Sequence, residues 1–376
     1  MLRVLFVFGT RPEAIKLAPV IARLREQPAH FTARIAVTAQ HRGLLDQVLD
    51  AFAILPDHDL NLMQPGQSLS QSSARIIAAL EPVLARERPD WVLVQGDTTT
   101  ALCGALAAFY AGVRVGHVEA GLRTGDPRQP FPEEMNRVLI ARLAAQHYAP
   151  TAEAAGNLAR EGVPAESILV TGNTGIDAVL EVRDRLAAGR LHAGPLPLLD
   201  SSRKLILVTA HRRESFGAGF ENICAALARL AARADVEIVY PVHPNPNVAG
   251  PVRRLLGERP NVHLIEPVPY VSFVELMRRA HILLTDSGGI QEEGPSLGKP
   301  VLVMRDKTER PEAIFAGTAR LVGTGTDRIV AECFELLEDA EGYARRARIH
   351  NPYGDGHAAA RIREHLISAT PAITTS

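Results

Sequence analysis

Cysteine is nearly absent from this sequence. Cys103, Cys224 and Cys333 stand far apart, odd in number and in apolar surroundings. That excludes a disulfide framework and a cysteine-rich metal site, and the thiols read as small core residues in a reducing compartment. Long hydrophobic runs are missing too: none approaches the roughly 18 residues of a membrane span. The start, Met1 to Phe8, lacks the cationic opening and small-residue cleavage site of a signal peptide. A cytoplasmic protein with no membrane partner is therefore expected. Neither sign of charge dominates; the formal net charge is −1, so nucleic acid is not an expected partner. There is no G-x-x-x-x-G-K-[ST], and no G-x-G-x-x-G follows the first strand, which disfavours Walker-type hydrolysis and ordinary NAD binding. No H-E-x-x-H or C-x-x-C spacing occurs, so neither a metal nor a cofactor is inferred.

What is present is an ordinary globular composition, 46% apolar and 22% charged over 376 residues, a length that favours two domains. Leu2 to Phe8 is almost wholly apolar and reads as a strand covered on both faces. Arg34–Thr38, Trp91–Val94 and Val113–Val118 read as further strands, separated by helical stretches such as Ser70–Arg86 and Ala101–Tyr110. Gln146–Pro150 and Ile168–Val170 read as short strands, and Ile176–Ala188 as a helix. Gly189–Ser202, with its Gly, Pro and Ser, reads as a connection. A second alternating series follows: Leu205–Thr209, Val236–Tyr240, Val262–Ile265, His281–Leu284, Val301–Met304 and Leu321–Val322 as strands. Glu221–Arg233, Phe273–Arg279, Ile329–Leu337, Tyr343–Ile349 and His357–Ile367 read as helices. Such alternation is the α/β signature. Two doubly wound, Rossmann-like sheets facing each other across a cleft are expected.

Three constellations carry chemistry. In the first, a buried strand runs into Asp286-Ser287-Gly288-Gly289 and a helix with Glu292 and Glu293 about one turn in. Free backbone N–H groups and the helix dipole favour an anion there, with Arg310 nearby in sequence. The second is acidic. Arg11, Asp97 and Glu119 each follow a separate strand, so in a parallel sheet they converge on the edge where ligands bind. Glu133 and Glu134 open a helix after Pro132, where acids also serve simply to stabilise an N-terminus. Gathered carboxylates raise one another's pKa values and suit proton transfer. The third is histidine: His211 stands at a strand end beside Arg212 and Arg213, with His243 placed alike, whereas His41 and His117 read as structural.

These stretches together resemble a known family. Phe8–Ala14, Thr38–Arg42, Gly96–Thr100, Gly116–Arg123, Pro132–Glu134, Gly172–Thr174, His211–Ser215, Asp286–Glu293, Thr308–Glu312 and Asn351–Gly356 resemble the non-hydrolysing UDP-N-acetylglucosamine 2-epimerases, from Leu2 to about Leu366. The resemblance implies the two-domain architecture called GT-B. It places one domain at 1–172, completed by a returning segment at 357–376, and a UDP-binding domain at 173–356. It implies reversible epimerisation of UDP-N-acetylglucosamine and UDP-N-acetylmannosamine without NAD, for surface polysaccharide precursors, in a homodimer. By matching motif, Asp97, Glu119, Glu133 and His211 resemble the catalytic groups. Arg11, Lys16, Phe273, Ser287, Gly288, Gly289, Glu293 and Arg310 resemble the UDP-sugar contacts. Some bacterial members bind a second, activating substrate molecule, and Gln40, Glu134, Arg212 and His243 resemble parts of that pocket. Gly43 and Gly66 stand where some regulated members carry longer polar side chains. The rivals are a glycosyltransferase using the same donor site, a hydrolysing relative, and a nucleotide-sugar binding protein without turnover.

Overall fold

The computed structural model describes residues 1–39, 42–64 and 66–369 and divides into two compact units, 1–178 with the segment from Gly354 onward, and 179–353. Unit 1 runs β1 (Leu2–Phe8), α1 (Arg11–Arg25), β2 (Phe31–Val37), α2 (Arg42–Ala51), β3 (His58–Asp59), α3 (Leu69–Glu87), β4 (Trp91–Gln95), α4 (Thr99–Tyr110), β5 (Arg114–Val118), α5 (Glu133–Leu143), β6 (Gln146–Ala149), α6 (Ala152–Arg160), β7 (Ile168–Val170) and the start of α7 (Thr174–Ala187). Unit 2 runs β8 (Lys204–Thr209), α8 (Ala218–Leu230), β9 (Val236–Pro241), α9 (Pro246–Leu256), β10 (Val262–Ile265), α10 (Tyr270–Arg279), β11 (Ile282–Thr285), α11 (Gly288–Ser296), β12 (Val301–Val303), α12 (Pro311–Ala316), β13 (Ala319–Leu321), α13 (Thr326–Glu338) and α14 (Ala340–Ala347). The last helix, α15 (Ala358–Ser368), belongs to unit 1.

Among the described residues, unit 1 holds a seven-stranded sheet in the order β3-β2-β1-β4-β5-β6-β7, and unit 2 a six-stranded one in the order β10-β9-β8-β11-β12-β13. Both are parallel throughout. In each, the strand order reverses beside the unit's first strand, between β1 and β4 and between β8 and β11. Outside the carboxyl ends at such a reversal, the helices diverge and leave a crevice.

Small residues set the close packing. α4 lies over β1 and β4 because Gly104 and the alanines around it have little bulk; a Cβ on Gly104 would meet Val7 at 3.0 Å and Val94 at 3.2 Å. Cys103, Cys224 and Cys333 are buried as free thiols, and burial raises the pKa of each. No helix among the described residues is long and apolar enough to cross a membrane.

Several elements differ from the sequence reading. α6 and α9 were not expected. α9 hides behind Pro246, Gly250 and Pro251, which look like breakers. Pro246 actually occupies the first turn, where a missing N–H is harmless, and Asn245 caps it by accepting from Asn247 N–H at 2.9 Å. The last strand is Ala319–Leu321, not Leu321–Val322. The helix expected at Tyr343–Ile349 starts at Ala340, where Asp339 accepts from Gly342 N–H. The division between units falls inside α7, because its first turns pack in unit 1.

Candidate active site

In unit 1 the chain leaves β1 through Gly9, where a Cβ would lie 2.1 Å from Thr38 Oγ1 and 2.7 Å from Thr100 Oγ1. Only glycine fits this passage. Glu13, fully buried in the first turn of α1, reaches back to accept Gly9 N–H at 3.1 Å and Thr10 N–H at 2.8 Å. Its other oxygen accepts from Thr98 Oγ1 at 2.6 Å, tying the turn after β1 to the turn after β4. Burial raises its pKa, and these hydrogen bonds oppose that rise. Arg11 stands at the first position of α1.

Asp97 follows β4 through Gly96, which has φ 71°. Its carboxylate pairs with Arg137 at 2.5 Å, and its carbonyl accepts from Asn136 Nδ2 at 2.7 Å. Glu119 follows β5 and is one residue past Val118, which aligns with Gln95 of β4. The two acids therefore leave adjacent strands at the same edge. Glu119 has φ 65°, left-handed for a non-glycine residue, and pairs with Lys16 of α1. Such a backbone costs of order 1–3 kcal/mol and persists where its surroundings over-determine it, commonly at functional sites. Glu133 opens α5 with its Oε2 buried and without a hydrogen-bond partner among the described residues. Asn136, one turn further along the same helix, is the residue that holds the Asp97 turn.

Glu134 is buried and its carboxylate is occupied. Oε1 accepts Thr124 and Gly125 N–H, both at 3.0 Å, and Oε2 pairs with Arg137 at 2.9 Å. It anchors the 124–125 loop onto α5. His117 is buried with Nε2 on the Gly96 carbonyl at 2.7 Å. Desolvation lowers its pKa to about 3, so it is neutral at physiological pH. Gln40 and His41 lie outside the described residues.

In unit 2, β11 delivers Asp286 and Ser287 to the N-terminus of α11, which carries no acid in its first turn. Gly288 and Gly289 leave the backbone there uncovered; a Cβ on Gly289 would meet nothing within 4 Å, and one on Gly288 would face the Arg310 guanidinium at 3.7 Å. Arg310 is held over this terminus by Glu292, a buried partner reached through Nε, and donates from Nη1 to the Glu309 carbonyl at 3.1 Å. Thr308 ties its loop to α11 by donating to Gln291 at 2.7 Å. Glu293 is less buried than Glu292, so of the two acids it is the one with access to solvent. Gly294 lets α11 sit on β11 and β12, where a Cβ would collide with Leu283 at 2.6 Å and Val301 at 2.8 Å. Phe273 is half-buried in α10.

His211 leaves β8 at the other side of the same strand-order reversal. It is exposed and stacks on His243, with ring centroids 5.7 Å apart and 16° between planes. Arg212 follows it in the same turn, which Arg305 fastens from below by pairing with Glu214 at 2.6 Å and Glu309 at 2.8 Å. The reversal in unit 1 thus gathers Arg11, Lys16, Asp97 and Glu119. That in unit 2 gathers His211, Ser287, Gly288, Gly289 and Arg310. Three residues had no role assigned from the sequence: Glu13, Arg137 and Asp286. Each acts through a fold-dependent contact, so spacing carries no signal for it, except that Thr10 with Glu13 has the form of a capping box.

A family model described as UDP-N-acetylglucosamine 2-epimerase matches residues 22–367. The chain is 59% identical to the UDP-N-acetylglucosamine 2-epimerase of Salmonella typhimurium over 372 residues, 98% of this chain and 99% of the relative. It is 58% identical to the enzyme of that name from Escherichia coli K12 over 370 residues, 97% and 98% of the two chains. Its structure is similar to the crystal structure of UDP-GlcNAc 2-epimerase from Neisseria meningitidis bound to UDP-GlcNAc. The TM-score there is 0.87 at 49% identity, covering 98% of this chain and 100% of that one.

Proposed function

Since this chain belongs to the UDP-N-acetylglucosamine 2-epimerase family, we propose that it interconverts UDP-N-acetylglucosamine and UDP-N-acetylmannosamine without net hydrolysis. The hydrogen on sugar carbon 2 is not acidic, so inversion there needs a route. A base on one face removes that proton as the bond from carbon 1 to the diphosphate oxygen breaks, giving 2-acetamidoglucal and UDP. UDP then re-adds at carbon 1 while a proton is delivered to the opposite face of carbon 2. Such a reaction needs acid-base groups for two faces and a site that grips UDP while it is unattached.

The observation that carries the reading is Glu119, held in a left-handed conformation against Lys16 on the sheet edge that also presents Asp97. We assign Asp97, Glu119 and Glu133 to the proton transfers, and His211 to the leaving diphosphate. The N-terminus of α11, with Ser287, Gly288, Gly289 and Arg310, holds the diphosphate. Arg11 and Lys16 add positive charge, Glu293 takes the ribose and Phe273 flanks the uracil. The relative from Neisseria meningitidis was solved with UDP-GlcNAc bound, which supports this choice of substrate.

The same reading makes the protein a cytoplasmic homodimer that supplies surface polysaccharide precursors; its buried free thiols suit a reducing compartment. Activation by a second UDP-GlcNAc molecule would draw on Gln40, Glu134, Arg212 and His243. Sigmoidal dependence of rate on substrate checks it; a hyperbola counts against it.

The central test is incubation with UDP-N-acetylglucosamine alone in deuterated water. Deuterium at carbon 2 in both epimers, with the nucleotide sugar intact, is expected. Accumulation of UDP and free N-acetylmannosamine would instead make the enzyme a hydrolase. No exchange until an acceptor is added would make it a glycosyltransferase.

A further inference from the structure

Asp286 is almost completely buried and sits at the strand-order reversal of unit 2. Its Oδ2 accepts two backbone donors, His211 N–H at 2.6 Å and Arg212 N–H at 2.7 Å. Its Oδ1 is buried with no hydrogen bond among the described residues. A carboxylate oxygen left so costs the desolvation it has undergone unless a donor reaches it. The group facing it is the His211 imidazole, whose Nδ1 lies 3.4 Å away. From β9 and its exit, His243 stacks on that ring, and Tyr240 donates to the Ala210 carbonyl at 2.7 Å, fixing the residue before it. The half-exposed ring is thus held by His243 stacking and by Nδ1 turned toward the buried carboxylate.

We infer that Asp286 is a positioning residue that fixes the tautomer of His211. An aspartate beside Nδ1 requires a proton there, which confines the exchangeable proton to Nε2. The inference rests on the assignment of His211 to the leaving diphosphate. In that step the imidazolium gives its Nε2 proton to a diphosphate oxygen as the bond to carbon 1 breaks. The ring becomes the neutral Nδ1–H form, still donating to Asp286; re-addition returns the proton to Nε2.

Asp286→Asn separates this role from simple support of the loop. The amide oxygen can still accept both backbone N–H groups, which leaves its NH2 facing Nδ1 and forces the proton of the neutral ring onto Nε2. Nitrogen-15 spectra of histidine-labelled wild type, D286N and H211N read this directly, with H211N identifying the resonances. On the alkaline side of the imidazole titration, wild type should show His211 protonated at Nδ1 and D286N at Nε2. D286N should lose roughly 100-fold in kcat, the lower range for one acid-base group, with little change in KM. An Nε2–H tautomer in wild type overturns the inference even if D286N fails to fold, and so does an unchanged tautomer in D286N. Near-normal turnover of H211N would instead remove His211 from the chemistry while leaving the tautomer result standing.

Discussion

At the scale of single residues, Glu119 makes a sharp prediction about stability and activity together. Its φ of 65° suits glycine and penalises every residue with a Cβ. Glu119→Gly should therefore be more stable than Glu119→Ala by about 1 kcal/mol, the usual left-handed penalty. Neither variant should epimerise. Equal chemical-denaturation midpoints, or turnover in either protein, would remove the case for function held at the expense of backbone strain. Arg310→Ala should weaken UDP at least tenfold by calorimetry, in keeping with about 1.5–3 kcal/mol for a hydrogen bond to a charged group. It also removes one ion-pair partner of the buried Glu292. Unchanged affinity would count against the contact. His117 predicts an acid limb in stability. Its pKa, lowered to about 3 by burial, means the unfolded chain binds a proton below the ordinary histidine pKa while the folded chain does not. Stability is whole above that ordinary value and falls with pH down to the lowered one. By pH 5 the loss from this residue is about 2 kcal/mol, and denaturation midpoints in a His117→Asn background should lose that share of the slope.

At the scale of elements, the helix that cradles phosphate depends on how closely it approaches its sheet. Gly294 sets that distance against Leu283 and Val301. Gly294→Ala should cost about 1–3 kcal/mol by overpacking and lift the helix terminus, so that UDP affinity falls without loss of any polar group. Retained affinity with lowered stability would show that the terminus is placed by something else. Gly121, with φ 90° and a Cβ that would sit 2.2 Å from the Ala154 carbonyl oxygen, should be less tolerant still. The same elements show what a sequence can disclose. Parallel strands are contiguous and apolar, and their exits carry small and polar residues, so β1, β4, β5, β8 and β11 and the groups behind them can be read directly. α9 could not, because its prolines and glycine resemble a loop until one knows that Pro246 starts the helix. The contact between Lys16 and Glu119 joins residues 103 apart, and Asp286 meets His211 across 75. Both depend on strand order, which local pattern does not encode.

At the scale of the whole molecule, unit 1 is built from both ends of the chain. Asp177 of α7 accepts the N–H groups of Ala358 and Ala359 at 3.2 and 2.9 Å and so caps α15 from outside it. Tyr148 and His365 are joined at 3.1 Å, and Arg361 donates to the Thr171 carbonyl at 2.9 Å. The face formed by Ala358, Ala359, Ile362 and Leu366 is buried. Truncation before Gly354 should therefore leave unit 1 unstable even though the acids of its sheet edge are untouched. Hydrogen exchange should show α1 and α7 losing protection while unit 2 keeps its own; equal protection would mean that α15 is dispensable. The returning helix also orders events during synthesis. A ribosome adds roughly 5–20 residues each second, so the sheet of unit 1 emerges and then waits on the order of ten seconds or more, through the making of unit 2, for its final helix. The acid-bearing unit is thus begun before unit 2 and completed only after it.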